Sequence, residues 1–272
     1  MAPSGPAQDR FRIASWNVNS LGVRLGAVER FVDRTRPDVL LLQETKTARL
    51  SPEARDSFAA RGYEVVAIGS GGYNGVAIAA RHPLVGVIGS GDLGIEPLDR
   101  EPRLISAVVD GSERMRVTSV YVPHGREVGH AHYEYKLSFL AALAERSLAW
   151  QLDDPLVIGG DLNVAATDHD VFHPDAFVGA THVSPDERAA LTQLLATGLV
   201  DLDVRRWGPR ARRFTWWNHG FGYSRNLGMR IDVLAASTPL AERLDTTWID
   251  HPERASDRPS DHAALIADLF RP

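Results

Sequence analysis

The chain has 272 residues, of which 44% are hydrophobic, and a formal net charge of −5. This composition predicts a soluble globular protein with a sizeable core, and the absence of cysteine excludes disulfides, cysteine-ligated zinc and thiol nucleophiles. No stretch approaches the roughly eighteen consecutive apolar residues of a membrane span, and no basic start precedes an apolar run, so we expect a cytoplasmic protein. The negative charge argues mildly against a nonspecific nucleic-acid binder.

The predicted elements alternate along the chain. Segment 1–10 combines Pro, Gly and Ala with scattered polar residues, and we expect it to be disordered. Strand-like apolar runs occupy 11–18, 37–44, 63–68, 75–80, 104–109, 115–122, 155–160, 230–236 and 262–270. Helical patterns occupy 26–35, 51–62, 132–150 and 184–198. Ser51 and Ser184, each followed by Pro, are typical of helix starts.

This mixture of strands and helices indicates an α/β fold. Several predicted strands follow one another with only turns between them, which an all-parallel sheet does not allow. The pattern therefore predicts a four-layer sandwich of two packed mixed β-sheets flanked by helices. No linker-like stretch divides residues 11–272, so we expect a single domain.

Polar side chains recur directly after the strand-like runs. Asn17, Glu44 and Tyr121 each follow one run, and Asp161 and Asn163 follow the run PLVIGG together. Each of them alone is usually a turn former or a cap. All five together favour a functional site on a shared rim, because the strands give such groups rigid support.

These residues suit the hydrolysis of a phosphodiester bond. Glu44, with Asn17 or Asp261 beside it, supplies hard oxygen ligands suited to Mg²⁺, with Mn²⁺ as an alternative. Asp161 and Asn163 are two residues apart and face the same side of an extended segment. The carboxylate could therefore accept a proton from an attacking water while the amide orients that water.

A carboxylate and an imidazole complete the set. Asp232 enters an apolar strand, where a buried carboxylate needs a partner, and His262 is the obvious candidate. A metal ion, a base, an orienting amide and an imidazole braced by a carboxylate together suit phosphodiester hydrolysis.

Nine motifs resemble those of a known family. They are SWNVNS, LLQETK, YNGVAI, VYVPHGR, GGDLNV, SPDER, TWW, GMRID and SDH. Their order and spacing are similar to those of the exonuclease III family of DNA repair nucleases, in the endonuclease/exonuclease/phosphatase superfamily. GDLN and SDH are shared across that superfamily. TWW with GMRID, and YVP followed by GR and YK, are narrower and point to abasic-site and 3′-end processing.

The resemblance implies roles for the catalytic and metal-binding residues. Glu44 with Asn17 would bind Mg²⁺, and Asp261 would be a further ligand or belong to a second metal site. Asp161 would accept the proton of the nucleophilic water, and Asn163 would stabilise the transition state. Tyr121 would approach the phosphate. Asp232 would orient the imidazole of His262, and His262 would contact the scissile phosphate.

The resemblance also implies a DNA-binding set. Trp216, Met229 and Ile231 match positions that pack around an extruded abasic sugar. The other predicted DNA contacts are His124, Arg126, Arg225 and Arg230. His124 departs from the Asn or Gln that relatives usually carry, and Met229 departs from the Trp of some relatives. Both departures bear on substrate preference.

Three other features have plain structural interpretations. Lys136 lies in a long amphipathic helical pattern and is interpreted as a solvated or snorkelling residue. His130 and His132, like the segment 168–173, are interpreted as polar loop residues and not as metal ligands. One of the adjacent Trp216 and Trp217 is expected in the core, because neighbouring strand residues face opposite ways.

These observations predict a Mg²⁺-dependent nuclease, acting as a monomer on double-stranded DNA. It would cut 5′ to abasic sites, leaving a 3′-hydroxyl, and would trim 3′ ends as a 3′-5′ exonuclease or 3′-phosphodiesterase. Two alternatives remain open at this point. One is a phosphoesterase of the superfamily with a non-DNA substrate, and the other is a DNA-binding relative without catalysis.

Overall fold

The computed structural model describes residues 9–272, in which fourteen strands and six α-helices are connected by turns and short 3₁₀ segments. The strands are β1 (Arg10–Asn17), β2 (Val39–Gln43), β3 (Glu64–Ile68), β4 (Val76–Ala80), β5 (Leu84–Gly89), β6 (Leu104–Val109), β7 (Met115–Tyr121), β8 (Leu156–Asp161), β9 (Leu199–Asp201), β10 (Trp216–Trp217), β11 (Gly228–Met229), β12 (Asp232–Ser237), β13 (Leu244–Asp250) and β14 (Ala264–Phe270). The helices are α1 (Leu21–Thr35), α2 (Pro52–Ala60), α3 (Ala131–Gln151), α4 (Pro185–Leu195), α5 (Leu202–Trp207) and α6 (Thr238–Ala241). None of these helices is both long enough and apolar enough to cross a membrane.

Two six-stranded sheets dominate the fold. The strand order is β13-β14-β1-β2-β4-β3 in the first sheet and β5-β6-β7-β8-β12-β9 in the second. The pairs β1/β2 and β7/β8 are parallel, and the other pairs are antiparallel. Strands β10 and β11 form a separate small ribbon. Both large sheets are therefore mixed, as the sequence predicts.

The buried apolar residues form three main layers of packing. Between the sheets, Phe11, Ile13 and Leu41 of the first sheet belong to one cluster with Val117 and Leu234 of the second. Helices α1 and α2 cover the outer face of the first sheet, and α3 and α4 cover the outer face of the second. The predicted four-layer α/β sandwich is confirmed.

The starts of α2 and α4 follow directly from the Ser-Pro pairs. Ser51 Oγ accepts a hydrogen bond from Ala54 N at 3.1 Å, and Ser184 Oγ accepts one from Glu187 N at 3.3 Å. Glu187 bonds back to Ser184 N at 3.1 Å, which completes a capping box. These bonds satisfy N–H groups that the first turn of a helix leaves unpaired.

The N-terminal boundary differs from the prediction. Strand β1 begins at Arg10, inside the segment 1–10 that is predicted to be disordered, because Arg10 pairs with Phe270 and its Nε donates to Asp245 Oδ2 at 2.9 Å. Residues 1–8 of that segment lie outside the described part of the chain. The sequence pattern also misses β5, β9 and β13, all of which are edge strands. An edge strand is less enclosed by its neighbours, so its apolar pattern is weaker.

Candidate active site

The first sheet brings three predicted site residues to one edge. Strands β1 and β2 run parallel, so Asn17 at the end of β1 lies beside the end of β2, and Glu44 follows that end directly. Strand β14 is antiparallel to β1 and therefore begins at the same edge, with His262 two residues before it. Trp16 Nε1 donates to the carbonyl of His262 at 3.2 Å and holds the chain there.

The second sheet brings three further predicted site residues to its own edge. Parallel strands β7 and β8 end at Tyr121 and Asp161, which are register partners. Asp232 begins the antiparallel strand β12 and is the partner of Asp161 on its other side. All three side chains therefore belong to the edge that faces Asn17 and His262 across the sandwich.

The glycines of GGDLN allow the two sheets to approach closely at this edge. A Cβ on Gly159 would lie 2.6 Å from Leu41 Cδ1 in the opposite sheet and 2.7 Å from Leu234 Cδ2 in the neighbouring strand. A side chain on Gly159 would force both leucine side chains to move. The motif thus has a packing requirement in addition to its chemistry.

One amide joins two carboxylates in the floor of the site. Asn17 Nδ2 donates to Glu44 Oε1 and to Asp161 Oδ2, at 2.9 Å in both cases. Asn17 Oδ1 accepts from Asn19 N at 3.0 Å. In this orientation the amide nitrogen of Asn17 bonds to both carboxylates and spaces them apart. Its oxygen does not face Glu44, as the predicted role of Asn17 as a metal ligand would require.

Asp161 has the electrostatic character of a general base. Its carboxylate is buried, and Oδ1 also accepts from Asn163 N at 3.0 Å. Burial raises the pKa of Asp161 to about 7; His262 opposes the shift, and Asp232 and Glu44 add to it. A carboxylate that titrates near neutrality can take a proton from water more readily than one of ordinary pKa.

His262 is held between two carboxylates. Its Nδ1 lies 2.8 Å from Asp232 Oδ2, so the pairing predicted from sequence is present. Its Nε2 lies 3.6 Å from Asp161 Oδ2, which is longer than a hydrogen bond and leaves both atoms available to a bound group. Although burial opposes it, the charges of Asp232 and Asp161 raise the pKa of His262 to about 10. The imidazole is therefore cationic at neutral pH.

The predicted metal ligands lie beside this floor. Glu44 Oε2 is 3.0 Å from Lys46 Nζ, and its side chain is 16% exposed. Asp261 accepts from Asn19 Nδ2 at 3.0 Å and from Trp216 Nε1 at 3.1 Å. Burial works against ionisation of Asp261, but His262 and these two donors lower its pKa overall.

A second group has ligand-type atoms close together. One atom from each of Asp161, Asp232 and His262 lies within 4.8 Å of the others. All three residues are buried, and Nδ1 of His262 is already occupied by Asp232, which leaves only Nε2. A hard cation such as Mg²⁺ prefers oxygen ligands and retains waters, so the accessible carboxylate of Glu44 fits such an ion better than this trio.

The floor opens into a cleft of about 400 Å³. Trp216, Met229 and Ile231 form one wall, and Trp216 is paired with Met229 in the ribbon of β10 and β11. Trp216 is half-buried, whereas Trp217 is fully in the core. The expectation that only one of the two indoles is a core residue is therefore correct.

Tyr121 also lines the cleft. The guanidinium of Arg103 lies 4.8 Å from the centroid of its ring, and Arg103 Nη1 donates to the Tyr121 carbonyl at 3.3 Å. Burial, followed by the negative charges of Glu44 and Asp161, raises the pKa of Tyr121 well above its ordinary value. The phenol therefore stays protonated and can donate a hydrogen bond to a phosphate oxygen.

His124 faces a histidine that the sequence analysis does not single out. His124 Nε2 lies 3.2 Å from His182 Nε2, and His182 Nδ1 lies 2.6 Å from the carbonyl oxygen of Asn163. Both rings line the same cleft as Trp216. His182 lies two residues before the SPDER motif, but a lone histidine before a helix start has no distinctive spacing that would have revealed it.

Several residues around the cleft have left-handed backbone conformations. Glu44, Asn163 and His182 have φ values of 49°, 53° and 75°, and Arg126 has 60°. Left-handed conformations are uncommon outside glycine and persist only where the surrounding structure enforces them. The enforced geometry is consistent with a functional site.

The predicted DNA contacts divide into exposed and buried arginines. Arg126 and Arg225 are exposed, with the Arg225 guanidinium 5.2 Å from the Phe221 ring centroid. Arg230 is buried, and it pairs with Asp170 Oδ1 at 2.6 Å and with Asp201 Oδ2 at 2.7 Å. The prediction that Arg230 contacts DNA is therefore wrong, because its charge is satisfied inside the protein.

Lys136 also differs from its predicted state. It is neither solvated nor snorkelling, since the side chain is completely buried and forms an ion pair with Glu187. The segment 168–173 has a structural role through Asp170, the partner of Arg230. His130 caps α3 by accepting from His132 N at 3.0 Å, so it stands at a helix start as predicted, whereas His132 lies in the first turn of α3 and not in a loop.

Comparison with known proteins matches nearly the whole chain. Residues 14–262 match the Endonuclease/Exonuclease/phosphatase family. The exodeoxyribonuclease III of Haemophilus influenzae is 31% identical over 272 residues, covering 95% of this chain and 99% of that protein. The matched range includes every residue of the floor and both walls of the cleft.

Two solved structures share the fold. A 3′ phosphatase from Neisseria bound to a product DNA hairpin has a TM-score of 0.88 and 34% identity, covering 95% of this chain and 99% of that one. An AP endonuclease from Archaeoglobus fulgidus has a TM-score of 0.87 and 37% identity, covering 96% and 99%. The chain therefore belongs to the Endonuclease/Exonuclease/phosphatase family, in its exonuclease III branch of DNA repair nucleases.

Proposed function

We propose that this member of the family is a Mg²⁺-dependent hydrolase that cuts duplex DNA on the 5′ side of abasic sites and trims DNA 3′ ends as an exonuclease or phosphodiesterase. The observation that carries the proposal is the buried Asp161 carboxylate, with a pKa of about 7, beside a cationic His262 in the floor of an open cleft. This pair offers a proton acceptor and a positive charge to one phosphate group.

The hydrolytic step uses both Asp161 and His262. A water molecule loses its proton to Asp161 as its oxygen bonds to phosphorus, and the bond from phosphorus to the 3′ oxygen breaks. That oxygen becomes the 3′-hydroxyl when it takes up a proton, and the phosphate stays on the 5′ side of the abasic nucleotide. His262, held by Asp232, and the phenol of Tyr121 stabilise the negative charge on the phosphate oxygens.

Asn163 would orient the water. Its Nδ2 donates to the Val122 carbonyl at 2.9 Å, and its backbone N donates to Asp161. Within residues 9–272 the side-chain Oδ1 has no hydrogen-bond partner, and Asn163 lines the cleft, so this oxygen is available to accept from the attacking water. Glu44 would hold Mg²⁺ with Asp261 nearby, and when bound the ion supplies positive charge for the phosphate and the leaving oxygen.

The shape of the cleft supports a substrate that lacks a base or ends in a 3′ terminus. Trp216, Met229 and Ile231 offer an apolar wall to a deoxyribose, and a sugar without a base has no pairing to lose when it leaves the helix. The relatives named above include an AP endonuclease and a 3′ phosphatase. We propose that the protein performs this reaction as a monomer.

The test uses a duplex with one abasic-site analogue and a second duplex with a recessed 3′ end, each with and without Mg²⁺. We expect metal-dependent cutting of both, with no cutting by Asp161→Ala and nearly unchanged DNA binding by that variant. Hydrolysis of a phosphoinositide with both duplexes left intact would favour a non-DNA phosphoesterase. Retarded but uncut duplexes would identify a DNA-binding protein without catalysis.

A further inference from the structure

Lys136 is a buried ammonium group directly behind the cleft wall. Its side chain lies on α3 and is fully enclosed. Nζ donates to the Asn163 carbonyl at 2.6 Å, to the Glu187 carboxylate, and to the His124 carbonyl at 3.4 Å. A buried charge is costly unless it is paired and hydrogen-bonded, so these contacts determine where Lys136 can sit.

Glu187 ties Lys136 to the loop before α4. Besides Lys136, its Oε1 accepts from Thr181 Oγ1 at 2.7 Å and from His182 N at 2.9 Å. Its Oε2 accepts from Ser184 N at 3.1 Å and from Ser184 Oγ at 2.7 Å. Both oxygens are therefore used, and the carboxylate holds the segment that carries His182.

The ion pair consequently joins three separate segments that line the cleft. They are the loop after β7 with His124, the exit of β8 with Asn163, and the loop before α4 with His182. The loops are closely packed here: Gly125 has φ 88°, and a Cβ on it would lie 2.8 Å from Thr181 Oγ1 and 3.2 Å from Lys136 Cδ. A shift of the ion pair would therefore move all three segments.

The hydrogen bonds also define how the two imidazoles are protonated. Arg126 N donates to His124 Nδ1 at 3.1 Å, so the proton of a neutral His124 is on Nε2. That proton points to His182 Nε2, which leaves the proton of His182 on Nδ1, directed at the Asn163 carbonyl. The Asn163 carbonyl thus receives donors from both His182 and Lys136.

The charges facing this imidazole pair favour its neutral state. Burial and then the charge of Lys136 lower the pKa of both rings, that of His182 to about 3. Glu187 raises the pKa of both rings. Glu44 also raises the pKa of His124, whereas Arg126 lowers it. The chain of donors described above therefore persists at neutral pH.

We propose that Lys136, secured by Glu187, is a positioning residue that holds the Asn163 carbonyl and the His124–His182 pair, so that the free Oδ1 of Asn163 faces the attacking water. Only the kinetic consequences of this inference rest on the proposed function. The arrangement of the imidazoles is a property of the free protein and can be measured without any substrate.

The kinetic experiment compares Lys136→Met with wild type on the abasic-site duplex. We expect kcat to fall by about ten- to a hundredfold with a smaller change in KM, as is typical when a supporting hydrogen bond is removed. Leu143→Ala is the control: it lies on the same helix about two turns after Lys136 and is buried, but its apolar side chain forms none of the hydrogen bonds that Lys136 makes. It should lose stability while keeping kcat at a temperature where it is folded.

The double variant Lys136→Met/Glu187→Gln separates positioning from simple charge compensation. If Lys136 only neutralises Glu187, removing both charges restores kcat, and the proposal is overturned. If Lys136 positions Asn163, the double variant remains impaired because the carbonyl still lacks its donor.

Nitrogen NMR of the imidazoles supplies the readout that needs no substrate. Wild type should show His124 protonated on Nε2 and His182 on Nδ1 at neutral pH, and Lys136→Met should show mixed tautomers and raised pKa values for both. Unchanged tautomers in Lys136→Met would overturn the proposal. If wild type cuts no DNA, the proposed function fails, while this measurement still decides the positioning role.

Discussion

His262 and Asp232 are joined by a hydrogen bond between the two sheets, with Nδ1 2.8 Å from Oδ2, although thirty residues separate them in sequence. His262 precedes β14 of the first sheet, and Asp232 begins β12 of the second. Asp232 Oδ1 is buried and has no partner among residues 9–272, so the bond to His262 is the main compensation for this buried charge. The contact thus serves both the packing of the sandwich and the charge of the imidazole.

Asp232→Asn should lower the pKa of His262 substantially, because the charge of Asp232 is the leading favourable contribution to its raised value. We expect cleavage to fall by roughly a hundredfold or more, since the imidazole would lose the carboxylate that most favours its charge and that orients it. Proton NMR titration of His262 and single-turnover cleavage provide the measurements. Asp250→Asn, which alters a buried carboxylate paired with Arg34, is the control and should leave the His262 titration unchanged.

Asp161 should make the protein less stable as pH rises. Its folded pKa of about 7 exceeds the unfolded value, so the native state binds a proton that the unfolded chain has lost. Between pH 4.5 and 6.5 this group should reduce the free energy of unfolding by up to about 1.4 kcal/mol per pH unit. Asp161→Asn removes that contribution.

The measurement is the free energy of unfolding of both proteins from denaturant titrations across this range. We expect the difference between variant and wild type to move steadily in favour of Asp161→Asn as the pH rises. A difference that is independent of pH would show that Asp161 titrates at its ordinary value. Most of this range lies below the ordinary histidine pKa of about 6.5, so His262 is largely charged in both states there.

Much of the site could be predicted because strand geometry places it. A polar residue at the exit of an apolar strand has its position set by the sheet, so Asn17, Tyr121 and Asp161 could be assigned to one rim from sequence alone. Asp232 could be matched to His262 because a carboxylate entering a buried strand needs a partner.

Contacts between distant segments could not be predicted in the same way. Arg230 and Lys136 look like surface cations in the sequence, and only the packing of the loops shows that Asp170, Asp201 and Glu187 surround them. His182 reaches the cleft through a loop with no periodic pattern. Such partners depend on tertiary structure, whereas the pattern of a strand is local.

Glu44→Gln should raise the Mg²⁺ concentration needed for half-maximal cleavage. The substitution removes the carboxylate charge that attracts the ion but keeps an oxygen and the hydrogen bond from Asn17 within reach. We expect a shift of about tenfold or more in the metal titration, since a change of roughly 1.4 kcal/mol in binding free energy is tenfold in affinity. Glu53→Gln, an exposed position at the start of α2, is the control. An unchanged titration in Glu44→Gln would remove Glu44 from the metal site.

Arg230 and Arg225 should respond to substitution in opposite ways. Arg230→Met leaves Asp170 and Asp201 buried without their cation, which should cost about 3–5 kcal/mol of stability. Arg225→Ala removes an exposed charge and should leave the free energy of unfolding nearly unchanged.

If Arg225 contacts a DNA phosphate, its loss should reduce the slope of log affinity against log salt by about one, whereas the slope for Arg230→Met should match wild type. Denaturant titrations and DNA-binding isotherms at several salt concentrations test both expectations, and a reduced salt slope in Arg230→Met would show that this buried arginine is exposed to DNA after all.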